Sequence, residues 1–131
     1  MKNSDFNSND SKQRTSKHIV ERTFDFAVRI IQLCGKIDER PGVGREMMAQ
    51  ILRAGTSVPS NIEEAQAAQS KADFISKMSI ALKEAREAHL RLRLLATANI
   101  IPEKQLQSLV QEADEIKRII GAIVVSTKRR N

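Results

Sequence analysis

The chain has 131 residues, enough for one hydrophobic core and too few for two. With 40% hydrophobic and 29% charged residues, it has the composition of a globular domain rather than of a disordered or membrane-embedded chain. A count of 22 Lys and Arg against 16 Asp and Glu gives a net charge of +6 and points to an anionic partner, while four Phe with no Trp or Tyr exclude a base-stacking platform.

Residues 1–18 are mostly Ser, Asn, Asp and Lys, bury too little to offset their ordering entropy, and are expected to form a flexible tail. From Ile19 to the end, residues 19–131, the apolar spacing is helical throughout, and four segments are predicted. The first, from about Val20 to Ile37, places Val20, Phe24, Ala27, Ile31 and Cys34 on one face and stops at Arg40-Pro41-Gly42. The second starts at Val43 or Gly44, carries Met47, Met48, Ile51, Leu52, Val58, Ile62 and Ala65, and ends near Gln69. Pro59 removes one of its backbone donors and crowds Gly55, so a kink is expected between them.

Ser70 and Asp73 have the chemistry of an N-cap and an acidic first turn for the third helix. Its apolar positions are Ile75, Met78, Leu82, Ala85, Leu92 and Ala96, with His89 at the remaining slot of the rhythm. Asn99-Ile100-Ile101-Pro102 breaks the chain, and Pro102 suits the first turn of a fourth helix whose apolar side holds Leu106, Leu109, Val110, Ala113, Ile116, Ile120, Ile123 and Val124. Long helices joined by short connections favour antiparallel neighbours, so the fold expected is an all-α, up-down-up-down four-helix bundle with a kinked second helix.

The sequence holds little that resembles catalytic chemistry. Neither His18 nor His89 follows a Glu at the spacing of a di-iron ligand pair, His89 has no evident nucleophile beside it, and Gly42-x-Gly44 is too short for a phosphate loop. No enzyme, metal or other cofactor is expected. Cys34 reads as a small packing residue, and His89 as a core-edge histidine with a polar partner. The first 17 residues contain no signal-peptide core, and the apolar run Ile119–Val125 is far below the roughly 20 residues needed to span a bilayer, so a cytoplasmic chain free of membrane is expected.

Two features suggest partners. Lys83, Arg86 and Arg93 share a helical face with Leu90, and Lys128, Arg129 and Arg130 close the fourth helix; both groups are candidate phosphate contacts for RNA or DNA. Lys83 with Glu87, and Glu87 with Arg91, are also spaced for ordinary surface ion pairs. Leu90, Leu94, Ile119 and Val125 exceed what one bundle core needs and are candidate contacts with further copies of the chain. The alternative to nucleic-acid binding is a scaffold that docks another protein.

The block Arg53-Ala54-Gly55-Thr56-Ser57-Val58-Pro59-Ser60-Asn61-Ile62-Glu63-Glu64-Ala65, with Asp73-Phe74 and Ala81-Leu82-Lys83-Glu84-Ala85, resembles the bacterial four helix bundle proteins, also called 23S rRNA-intervening-sequence proteins. The resemblance covers roughly residues 20–127 and implies an antiparallel four-helix bundle that assembles as a homopentamer. It is also similar in fold to the accessory proteins of diversity-generating retroelements, basic pentamers that bind nucleic acid and a reverse transcriptase. Within the block, Arg53, Asn61 and Glu64 are polar among core positions and are expected to form a buried or interfacial hydrogen-bonded network that sets helix register. Residues 1–22 hold five basic and three acidic groups and residues 128–130 three basic ones, so the two ends supply +5 of the net charge of +6.

Overall fold

The computed structural model describes the backbone of residues 8–37 and 41–130, with side chains from His18 onward. Four helices follow in order: α1 (Ser8–Gly35), α2 (Val43–Gln66), α3 (Lys71–Thr97) and α4 (Glu103–Arg129). At about 1.5 Å per residue, each is roughly 35–40 Å long.

Contacts at two levels fix the direction of every neighbouring pair. The Cys34 thiol donates to the Met48 carbonyl and Ile30 abuts Gly55, so α1 and α2 are antiparallel. Arg53 reaches Glu84 and Glu87 while Arg91 reaches Gln50, which sets α2 against α3. His89 meets Lys117 near the middle of α3 and α4, and Leu82 lies beside Gly121 a few turns away. Arg22 with Glu112 and Arg29 with Ser108 close the ring between α1 and α4. The result is the expected up-down-up-down bundle. Its α1–α4 seam has the sparsest packing of the four, and there the polar Arg22 and Arg29 bonds supplement the apolar contact.

The core rows of three helices are largely those expected. On α4, Leu106, Leu109, Ala113, Ile116, Ile120 and Val124 are buried, and on α3 Met78, Ala85, Leu92 and Ala96 are joined by Ala81, Ala88 and Leu95. The small alanines of α3 let its neighbours approach closely. On α2, Gly55 serves the same end: a Cβ there would lie 3.1–3.4 Å from three carbons of Ile30.

Helix α1 corrects the sequence reading. Of Val20, Phe24, Ala27, Ile31 and Cys34, only Ala27 is buried, and Phe24 and Ile31 are more than half exposed. The row one position earlier faces the core: Ile19, Thr23, Phe26, Ile30 and Leu33. Both rows have the same helical spacing, and Thr23 made the true one look less apolar. Its hydroxyl is buried without penalty because it donates to the Ile19 carbonyl at 2.8 Å.

The segment ends also differ. Helix α1 begins at Ser8, so residues 8–18 of the expected tail are helical; once the packed turns have formed, each further residue adds a backbone bond without a new nucleation cost. Residues 1–7 lie outside the described region. Helix α2 ends at Gln66 and runs unbroken through Pro59, which is buried. Around Pro59, Thr56, Ser57 and Asn61 bond back to the carbonyls of Leu52, Arg53 and Ser57, so local polar groups accompany the lost backbone bond.

Ser70 caps α3 as expected, accepting from the Asp73 amide at 3.0 Å. At the other end, Asn99 adopts φ 59°, and the amides of Asn99 and Ile100 bond to the carbonyls of Ala96 and Leu95. This paired closure satisfies carbonyls that the helix end would otherwise leave open.

Candidate functional site

The expected polar network does not assemble within the chain. Arg53 instead crosses to α3, where Nη1 lies 3.3 Å from Glu84 and Nη2 3.2 Å from Glu87. Asn61 donates to the Ser57 carbonyl within its own helix, and Glu64 is exposed. The three positions are separated around α2 by its helical rotation and share no partner. Arg53 still sets the α2–α3 register, through Glu84 and through Glu87, the acid whose spacing suggests Lys83 and Arg91 as partners. Glu84 is buried and Glu87 half-buried, so both face α2 rather than solvent.

That redirection changes the surface of α3. With Glu84 and Glu87 turned toward Arg53, the exposed residues Lys83, Arg86 and Arg93 form a basic row with no ion-pair partner among the described residues. Leu90 and Leu94 stand beside the row, each 48% exposed. Val125 on α4 is equally exposed, whereas Ile119 is half-buried against the core and is not a free contact, since the core reaches further around α4 than the sequence suggested. Lys128, Arg129 and Arg130 are exposed, with Arg130 Nη2 3.4 Å from the Thr127 hydroxyl.

The seam between α3 and α4 holds a titratable cluster. His89 is buried, with Lys117 Nζ 3.2 Å from its Nδ1 and Asp114 Oδ1 3.9 Å from its Nε2. An ammonium offers only donors, so Nδ1 accepts and the ring proton of neutral His89 sits on Nε2. Burial lowers the histidine's pKa and the Lys117 charge lowers it further. Asp114 also holds Lys117 at 3.3 Å and Arg118 at 3.0 Å. The Cys34 thiol is pushed up by burial, consistent with packing rather than reactivity.

Between α1 and α4, Arg22 bonds Glu112 at 2.5 Å and Glu115 at 2.9 Å, and these carboxylates hold its guanidinium above its ordinary pKa. A shallow groove follows the outer side of α4 past Gly121, Val125 and Arg129. A cleft of about 170 Å³ between the end of α3 and the start of α4 is lined by Arg93, Thr97, Glu103 and Gln107. Neither depression sets a nucleophile beside a base. Among the described residues, no group of three His, Cys, Asp or Glu could hold a metal ion, and no helix is long and apolar enough to cross a membrane.

A model of the family described as 23S rRNA-intervening sequence protein matches residues 15–122. The chain belongs to that family. The 23S rRNA-intervening sequence fold is also seen in a crystal structure of a protein of unknown function from the S23 ribosomal protein family of Bacteroides thetaiotaomicron. That protein is 38% identical, with a TM-score of 0.76, over 84% of this chain and 97% of the other. No curated protein matches. For this member of the 23S rRNA-intervening sequence family, the surface that sequence reasoning missed is the outer row of α1. Phe24, Val28 and Ile31 lie there, 55%, 37% and 53% exposed. The signal was present as a second apolar row, one position from the first, on a helix too apolar for one face.

Proposed function

We propose that this protein is a non-enzymatic, homo-oligomeric helical bundle of the cytoplasm, a pentamer as its family resemblance implies, that binds RNA or DNA through charge with little sequence preference. The observation that carries the reading is the convergence of its two basic segments. Because α1 and α4 are antiparallel, the first turns of α1, whose sequence includes Lys12, Arg14 and Lys17, lie at the bundle end where α4 delivers Lys128, Arg129 and Arg130. A ring of copies would gather these ends into one basic surface, which suits phosphate contact without base readout. The absence of catalysis is supported by the engaged state of the two most reactive side chains: His89 accepts from Lys117, and the Cys34 thiol is raised by burial.

Titration of labelled RNA and DNA at two salt concentrations tests this. Three phosphate contacts account for about a 40-fold loss of duplex affinity between about 50 and 200 mM salt. The triple variant Lys128→Glu, Arg129→Glu, Arg130→Glu is expected to remove a loss of that size. Binding that resists salt, or a terminal variant that binds like the parent, overturns the reading. The exposed Leu90, Leu94 and Val125 favour a second reading, a scaffold for another protein, and apolar docking of that kind would change little with salt.

A further inference from the structure

We propose that copies of this chain join head to tail, the outer face of α1 on one copy docking on the outer face of α3 on the next. This rests on the self-association in the preceding reading and assigns its interface.

Each face is unsatisfied in a way the other completes. On α1, Phe24, Val28 and Ile31 fall at i, i+4 and i+7 and form an exposed apolar row. Isolated exposed apolar residues are ordinary, but a row at helical spacing is what a partner helix covers. Two exposed carboxylates, Glu21 and Asp25, stand along that row. On α3, Leu90 and Leu94 are equally uncovered, and the exposed charges beside them are basic. The two acids nearest that face, Glu84 and Glu87, are already drawn away to Arg53. One face is therefore apolar and acidic, the other apolar and basic.

The spacings agree as well. Glu21 precedes Val28 by seven residues, and Lys83 precedes Leu90 by seven. A parallel overlay sets Glu21 against Lys83 and Val28 against Leu90, and brings Asp25 within one residue of Arg86 and Ile31 within one residue of Leu94. Parallel is the orientation the fold supplies, since α1 and α3 both run antiparallel to α2 and α4. They sit diagonally in the ring of four helices, so their outer faces lie on different sides of the bundle and can be covered by two different copies.

The two rows also overlap in height in the bundle. Arg22 on α1 and His89 on α3 both reach residues 112–117 of α4, and Ile30 abuts Gly55, two residues from the Arg53 that reaches Glu84 and Glu87. A head-to-tail contact between overlapping rows closes into a ring when the rotation from copy to copy divides a full turn, and runs on as a filament when it does not.

The test uses the full chain and two variants, Phe24→Lys with Ile31→Lys and Leu90→Lys with Leu94→Lys, by size-exclusion chromatography with light scattering. Each variant alone is expected at the 14.7 kDa monomer mass, and an equal mixture at twice that mass, because one intact α1–α3 junction remains between them. A dimer from either variant alone, as like faces pairing with like would give, overturns the proposal. An oligomer that survives both substitutions also overturns it while leaving self-association standing, whereas a monomeric parent chain refutes self-association itself. Should the Lys variants lose their helicity, the charge exchange decides. Glu21→Lys with Asp25→Lys, or Lys83→Glu with Arg86→Glu, weakens the assembly at least tenfold, and the four changes together restore it; failure to restore overturns the proposal.

Discussion

Two adjacent isoleucines on α1 give a direct test of which row faces the core. Ile30 is fully buried and Ile31 is 53% exposed, although the sequence pattern favours the opposite assignment. Replacing Ile30 by Ala removes about three methylene equivalents worth ~0.8 kcal/mol each, near 2.4 kcal/mol of transfer free energy. Unfilled space at its contact with Gly55 adds up to about 2 kcal/mol, since glycine has no side chain that could relax into the void. The same change at Ile31 loses roughly half the transfer term, about 1.2 kcal/mol, and at both positions the better helix propensity of Ala offsets a few tenths. Urea unfolding of both variants, extrapolated to low protein concentration so that assembly does not contribute, is expected to separate them by about 1–3 kcal/mol. Thermal midpoints should follow, with Ile30→Ala lower by on the order of 10 °C and Ile31→Ala by a few degrees. Equal losses, or a larger loss at Ile31, would refute the burial of the Ile19–Leu33 row and with it the exposed face of α1.

Other outcomes follow from the same geometry. Gly55→Ala and Ile30→Val should be coupled: Val relieves the crowding that a Cβ at 55 creates, so the double variant is more stable than the sum of the singles predicts by about 0.5 kcal/mol or more, and strict additivity would contradict the close approach. Arg53→Leu should cost about 1 kcal/mol, since its guanidinium is largely exposed but Glu84 is buried, and Glu84→Gln should recover part of that loss; a double-mutant cycle showing no coupling would remove the α2–α3 clasp. Acidification should destabilise the fold through His89. Its pKa is lowered by burial and then by Lys117, so the unfolded state binds the proton first and stability falls as pH drops below about 6.5. The slope is at most about 1.4 kcal/mol per pH unit and levels off below the lowered pKa. Unfolding curves between pH 7.5 and 5.5 should show this step in the parent and not in His89→Gln.

The candidate surfaces were legible in part. Lys83, Arg86, Arg93, Leu90 and Leu94 could be placed on one outer face from spacing alone, because they lie away from the Met78, Ala85, Leu92 and Ala96 positions that turn inward. The pairing of Glu84 and Glu87 could not, since spacing within the helix offers Lys83 and Arg91 to Glu87 and no base to Glu84, and gives no hint that Arg53 lies across the seam from both. Arg53, Asn61 and Glu64 look alike as polar residues in a core-rich segment, yet the rotation of α2 sends one to α3, one back to its own backbone and one to solvent. His89 was read correctly as a core-edge residue, but Lys117 as its partner depends on the α3–α4 register.

The four helices, their order, the Ser70 cap and the core rows of α2, α3 and α4 follow from local sequence, because a strong 3.6-residue period, capping chemistry and short connections leave few alternatives. The concentration of positive charge at the chain ends is likewise a property of the sequence itself. Which face of α1 turns inward is decided only when the helices pack. Two rows on that helix have equal spacing, and the choice falls to the one whose Ile30 fits against Gly55 and whose Thr23 can satisfy its hydroxyl on its own backbone. That choice leaves Phe24, Val28 and Ile31 outside, so the acidic, apolar face of α1 and its basic counterpart on α3 arise from tertiary packing, which alone sets which of two equivalent periodic patterns is covered.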